Sequence, residues 1–491
     1  MLYRQGGQSS EKGIYPIAAT LLLATCMLLV SCFERNREYR ESDYSEFGTF
    51  VDSLDVDLTG QWFDRMGVSG DADSLLSYLR DELTRNGLDT TAFYIPQISE
   101  DLGIVRQLAF DSLGVNINEV LARLDVNLTE AFVSYATGQR YGFVRPSKLF
   151  NRLDMKADSS GYARLFDYDI ETPDEKSIKE KAASADRLAY LVASQPQNYV
   201  YRALQAELSA TSDKALRQKI AINMERCRWR IKHPQESELR VAVNIPAQQL
   251  WAVCPDSVLS MRICCGATST KTPLLASTIN CIQVNPEWII PNNIIKTDVA
   301  RHAGDSAYFA RNNYYITDRS SGDTLNPARV SAAELKSGSL RLGQKGGAGN
   351  SLGRIVFRFP NNFSVYLHDT NNAGAFKRER RTVSHGCVRV QKPFELACFL
   401  LPELDEWGLD KLRISMDIPP QTERGIIYLE EHADDPRPFR LSRYHELNPQ
   451  VPVYIIYFTA YPNPESGKVE SYPDLYGYDR VIADEMKTLL R

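Results

Sequence analysis

Near Pro234 the hydrophobic period of this chain changes from helical to two, and that change constrains the fold class before any motif is read. Upstream, Leu216, Ile220, Met224 and Cys227 fall on one stripe of a helix that Ser212 or Asp213 can cap. Downstream, Leu239, Val241, Val243 and Ile245 alternate with Arg240, Ala242 and Asn244, and the runs 250–254 and 258–265 continue as strands. Strand-like runs recur at 354–359, 364–368 and 412–418, with a helix expected over 393–401. A chain of 491 residues exceeds one ordinary hydrophobic core, so separate packed units are expected. The class is therefore α+β: a polar, acidic tether with a partly ordered subdomain over 33–99, a helical unit over 100–235, a β-rich unit over 239–420, and a C-terminal arm over 421–491 packing back on the helical unit.

The first 32 residues have the layout of an export signal: Arg4 and Lys12 precede an uncharged, largely apolar run over 14–30 that ends at Ser31 and Cys32. Leu29-Val30-Ser31-Cys32 is similar to the lipobox of bacterial lipoproteins, which makes Cys32 the expected lipidation site. The alternative is an uncleaved transmembrane anchor; either places the folded part outside the cytoplasm, in the periplasm and facing a membrane. Nine cysteines less Cys26 and Cys32 leave seven, so at least one thiol of an exported chain stays unpaired within it. The spaced ligand pairs of a structural zinc site are missing, and adjacent Cys264 and Cys265 read as small hydrophobes on opposite sheet faces. A formal charge of −5 offers no basic excess with which to neutralise phosphates, which argues against a nucleic-acid partner.

Chemistry concentrates between Tyr366 and Arg389. The turn Ser384-His385-Gly386-Cys387-Val388-Arg389 puts a thiol beside two imidazole candidates, His368 and His385, in a chain with six histidines. Gly386 permits a tight turn whose amides can face a developing oxyanion. His368 is the better general base, because it lies at a strand end 19 residues upstream (387 − 368) and can face the thiol, whereas His385 is only two positions away. Asp369 or a nearby carbonyl can fix its second nitrogen. Arg389 suits a substrate carboxylate, or else pairs internally with an acid such as Glu395. The loop before the turn carries Lys377, Arg378, Arg380 and Arg381 and reads as a functional lid. The bland reading of an isolated Cys is a buried hydrophobe and of an isolated His a structural hydrogen-bonding residue, but their crowding in one short turn favours acyl transfer through a cysteine.

The same turn resembles the catalytic motif of L,D-transpeptidases of the YkuD class, bacterial enzymes that cross-link peptidoglycan. The segments NMERCRW from Asn223, LRVAVNIPAQQLW from Leu239, KTPLLASTINCIQVNPEWIIP from Lys271, GNSLGRIVFRFPNNFSVYLHDT from Gly349 and VPVYIIYFTA from Val451 resemble the large YcbB-like branch. The resemblance implies a helical scaffold domain plus a β-rich mixed-sheet catalytic domain, and a two-step reaction without cofactor or metal. Cys387 is the implied nucleophile and His368 the base, with His385, Gly386 and Arg389 around the oxyanion and substrate, and with Ser384, Tyr366, Arg341 and Gln344 lining the cleft. The implied partners are peptidoglycan stem peptides, with the terminal D-Ala of a tetrapeptide released and a 3→3 cross-link formed. Two departures stand out. The interval 196–219 is too short for the peptidoglycan-binding module common in this branch, and Gly346-Gly347-Ala348-Gly349 replaces a Pro-rich turn, which is expected to loosen the base of the lid. Rival readings are an L,D-carboxypeptidase or hydrolase using the same site, a catalytically silent wall-binding lipoprotein, and a thiol-redox protein with Cys398 as resolving partner.

Overall fold

A computed structural model describes residues 47, 59–151, 153, 165–234 and 237–490. The signal segment and Cys32 lie outside the described residues. Among the described residues no helix is long and apolar enough to cross a membrane. The fold is α+β, and the chain divides into two compact units.

The first unit gathers residues up to 140, 173–195 and the last few residues of the chain. A hairpin, Phe63–Asp64 against Gly67–Val68, precedes helices Gly70–Arg85, Ile95–Arg106 and Ile117–Tyr141. Residues 59–99, within the span expected as a tether with a partly ordered subdomain, belong to the helical unit itself. The physical reason is burial: Leu75, Leu79 and Leu83 recur at helical spacing with no exposure at all. Asp101, wholly buried, is satisfied by Arg123 through Nε (3.0 Å) and a terminal nitrogen (2.6 Å).

The second unit spans 141–172 and 196–487. Eight strands close a ring in it: β1 Arg240–Asn244, β2 Gln249–Cys254, β3 Ser257–Gly266, β4 Leu274–Val284, β5 Ile355–Arg358, β6 Leu367–His368, β7 Val388–Val390 and β8 Tyr444–Ile456. Around the ring the order is β5-β6-β7-β3-β2-β1-β8-β4, and β4 pairs back to β5. The β6–β7 and β8–β1 pairs are parallel, so the sheet is mixed. Val241, Val243, Leu250, Ile263, Ile282, Leu367, Val388, Val453 and Ile455 are fully buried, the pattern that period-two alternation demands of a half-buried sheet.

Three boundaries depart from the sequence expectation. Strand β8 lies between β1 and β4 and so belongs to the sheet, while Ala460, Val469 and Asp479 of the expected arm do meet the helices Tyr199–Ala210 and Lys214–Arg228 of the span 100–235; the chain's end joins the first unit through a bridge between Leu88 and Leu490. The helix Lys214–Arg228, capped by Asp213 accepting the Leu216 amide at 2.8 Å, belongs to the sheet unit, because Asn223 hydrogen-bonds Thr459 and Arg226 pairs with Asp479 at 2.7 Å. The run 412–418, expected as a strand, is largely helix Glu406–Ser415, which Asp405 caps by accepting the Gly408 amide at 2.7 Å. The expected helix over 393–401 is present as Pro393–Leu400.

Between β4 and β5 the chain inserts a four-stranded antiparallel sheet, Trp288–Ile289, Tyr314–Asp318, Thr324–Leu325 and Leu340–Gln344. It has its own core of Ile290, Ile295, Val299, Phe309, Ile316, Leu335 and Leu342. Sequence alone gave no sign of this insertion.

Candidate active site

Register places the reactive groups. Leu367 pairs with Val388 and His368 with Arg389 across parallel strands, and Leu367 and Val388 both enter the core. Alternation then puts Tyr366, His368, Cys387 and Arg389 on the other face, with the thiol diagonal to the imidazole. The pairing is fixed by the Val388 amide donating to the Tyr366 carbonyl at 3.0 Å.

The backbone of the turn is held at several points. Gly386 sits at φ +119°, a conformation open in practice only to glycine. Ser384 is buried, and its hydroxyl donates to the Cys387 carbonyl at 2.6 Å while accepting the Gly386 amide at 3.1 Å. Thr272 donates to the Gly386 carbonyl at 2.8 Å and accepts the Gly266 amide at 2.8 Å. Tyr476 donates to the Gly266 carbonyl at 2.7 Å and accepts the Thr272 amide at 3.2 Å. A Cβ on Gly266 would lie 2.1 Å from the Thr270 carbonyl oxygen, so the loop 267–272 can close against the turn only over a glycine. The Ser384 carbonyl accepts from the Ala267 amide (2.9 Å) and the Thr270 hydroxyl (3.0 Å).

Cys387 is half-buried, and its Sγ donates toward the Ser364 carbonyl at 3.8 Å. Burial pushes the thiol above its ordinary value, while a hydrogen bond from the Tyr366 backbone and the Arg389 charge pull it back. His368 is 4% exposed, and burial, followed by the Arg389 charge, lowers it to about 4. Its Nδ1 lies 2.5 Å from the Asp369 carbonyl oxygen, which answers how the ring is fixed: the Asp369 carboxylate is occupied by the Arg354 amide at 2.8 Å. Burial thus favours the neutral form of both the thiol and the imidazole. Arg389 supplies the nearby cation, and its Nε has no hydrogen-bond partner among the described residues.

With this geometry in hand, residues 238–406 match the family model described as the L,D-transpeptidase catalytic domain, YkuD. Those residues belong to the YkuD family. Residues 58–208 match a second model, described as a Scaffold domain. A Haemophilus influenzae protein named "Putative L,D-transpeptidase" is 28% identical over 324 residues, covering 64% of this chain and 60% of the relative. The chain thus spans about 60% of the length of that curated relative. An L,D-transpeptidase from Mycobacterium smegmatis covers 33% of this chain and 53% of its own at 15% identity, with a TM-score of 0.19, too loose a superposition to compare folds.

Within the YkuD domain some expected site residues turn out to be structural. Gln344 is 2% exposed and spends its side chain on the Asn312 and Gly349 carbonyls (2.9 and 3.2 Å) and the Ser351 amide (2.8 Å). Ser384 shapes the turn from beneath and does not line a cleft. Arg341 is exposed on the insertion, opposite Thr317. Tyr366 is half-buried, with the Arg358 guanidinium 5.0 Å from its ring centre.

The basic loop is no open lid either. Arg381 is buried and donates to the Ile263, Gln248, Arg378 and Glu379 carbonyls, while Ala375 and Phe376 pack on Cys264. The glycine run at 346–349 does not loosen its surroundings, since buried Asn350 donates to the Pro286 and Lys345 carbonyls. All seven cysteines outside the signal segment are free, Cys387 and Cys398 included.

The groups that sequence reasoning missed are Thr272, Ser364, Tyr476 and Asp298. A small-residue hydroxyl run, Ala267 to Thr272, directly after a strand was the available signal for the first. Tyr476 lies far down the chain, and only the closed ring brings it under the turn. Asp298, on the insertion, has its Oδ2 3.4 Å from His385 Nε2.

Proposed function

We propose that this protein is a peptidoglycan L,D-transpeptidase acting through a cysteine thioester. Cys387 attacks the carbonyl at the L-centre of the third residue of a tetrapeptide stem. His368 takes the thiol proton and returns it to the departing amine, so that the terminal D-Ala leaves and the acyl group stays on sulfur. A side-chain amine of a second stem then resolves the thioester into a 3→3 cross-link. Arg389 stands where a stem carboxylate can be held. The observation that carries this reading is the placement, inside the YkuD match, of a half-buried thiol behind the Gly386 turn, on the same sheet face as a buried neutral imidazole. No cofactor takes part.

The test is incubation of purified protein with a disaccharide tetrapeptide, followed by mass spectrometry. Cross-linked dimer with released D-Ala is expected; tripeptide alone would make it a carboxypeptidase, and identical products from Cys387→Ala would remove the thioester. We further propose export and lipidation at Cys32, supported by the lipobox-like sequence. Intact mass of the mature protein, showing or lacking a diacylglyceryl adduct on a chain that starts at residue 32, decides it.

A further inference from the structure

The two faces of the catalytic turn differ in charge. On the side of β6 stands His368, buried and neutral, whereas on the other side stands exposed His385 with the carboxylate of Asp298 at 3.4 Å. Asp298 is not there by accident of a floppy loop. It lies in a helical turn, Ile295–Val299, whose Ile295 and Val299 are buried in the insertion's own core, so the side chain between them is aimed by packing. Both partners keep roughly half their side-chain surface in water, 49% for His385 and 43% for Asp298, so a ligand can reach them. Tyr308 and Tyr314, also on the insertion, pair through their side chains, and the charge of Asp298 acts weakly on both. The carboxylate itself faces the imidazole two residues from Cys387.

An anion beside the thioester does nothing for an anionic donor terminus, but it draws in a cation. The amine that resolves the thioester arrives as an ammonium near neutral pH and must shed a proton before its lone pair can attack. We propose that Asp298 and His385 form the acceptor subsite, which takes a primary ammonium on a stem-peptide side chain. The inference rests on the transpeptidase reading above and specifies its second half-reaction. Asp298 holds the ammonium, and one proton passes from nitrogen to His385, whose imidazolium Asp298 then stabilises. The freed lone pair bonds to the thioester carbonyl carbon, and the C–S bond breaks with its electron pair going to Sγ. The second nitrogen proton ends on the thiol, leaving an amide, and His385 releases its proton to solvent. Asp298 is a specificity residue in this scheme: it decides between amine and water, both of which can resolve the acyl-enzyme.

A mere latch between insertion and turn would slow both fates of the acyl-enzyme together, so the ratio of products separates the two ideas. The full-length protein is given the disaccharide tetrapeptide as donor and a lysine-terminated tripeptide as amine acceptor, and cross-linked product is measured against hydrolysed tripeptide over a range of acceptor concentrations. Asp298→Asn is expected to lower that ratio about five-fold and to raise the half-saturating acceptor concentration by a similar factor, with Asp298→Glu recovering most of the loss. Formation of a carbapenem adduct on Cys387 in each variant certifies a folded turn. A ratio within two-fold of the parent in Asp298→Asn, or equal loss of both products, overturns the subsite. If the parent protein itself forms no adduct at Cys387, the transpeptidase reading fails and the subsite falls with it; if the parent cross-links and Asp298→Asn keeps its ratio, only the subsite fails.

Discussion

His368 and His385 flank one cysteine and live in opposite surroundings. His368 is 19 residues away in sequence, held on a short strand between two neighbours, nearly sealed from water and lowered to about 4. His385 is two residues away, exposed on the turn and paired with an acid from the insertion. On the proposed roles, sequence proximity to the thiol is a poor guide to which imidazole serves it. The distant ring shares the thiol's sheet face and stays an uncharged acceptor across the physiological range, while the near one is left free for what arrives from solvent.

The comparison can be broken at several points. Cys387→Ala should abolish the carbapenem adduct altogether, as read by intact mass, and a persisting adduct would move the nucleophile elsewhere. Next, His368→Gln should slow adduct formation by roughly three orders of magnitude, the middle of the range for losing a positioned base, whereas His385→Gln should cost less than about ten-fold. Equal losses would erase the distinction between the two rings.

A pH titration of stability sharpens it further. His368 titrates at about 4 when folded against an ordinary 6.5, so its contribution is complete above 6.5 and is lost as pH falls toward 4. The loss amounts to about 3 kcal/mol at most, since each pKa unit is worth ~1.4 kcal/mol. Denaturant melts of parent and His368→Gln between those pH values should show a steeper fall in the parent, and parallel curves would contradict the burial argument. Thr272→Val, which removes the hydroxyl under the Gly386 carbonyl, should reduce adduct formation about ten-fold and stability by about 1–2 kcal/mol. Smallest of all, Arg341→Ala should change adduct formation by less than about two-fold, as expected of an exposed side chain on the insertion.

What the sequence disclosed and withheld follows from the range of the interactions involved. Strands β1 to β3 were legible because their alternation is long and faces one core, and the catalytic turn was legible because its chemistry is contiguous. The stretch from Leu412 to Ile418 alternates just as cleanly but is largely helical, since so short a window satisfies either period and a cap at Asp405 decides it. Gln344 was named through the family resemblance alone, yet backbone carbonyls claim its side chain. Strand β8 lies in the span read as a C-terminal arm, and its partners, β1 and β4, lie well over a hundred residues upstream, so its place in the ring could not be inferred locally. The support of the turn by Tyr476 depends on that same closure.

The ring has a consequence for where the chain can be cut. Its last member, Tyr444–Ile456, is made after the cysteine, and without it β1 and β4 have no neighbour in common. A fragment excised at the limits of the family match, 238–406, would leave the barrel open and the loop beneath Gly386 without its tyrosine prop. The turn at Gly386 thus depends on chain that lies beyond the limits of the family match, and cutting there removes both the ring's closing strand and the tyrosine that holds the loop.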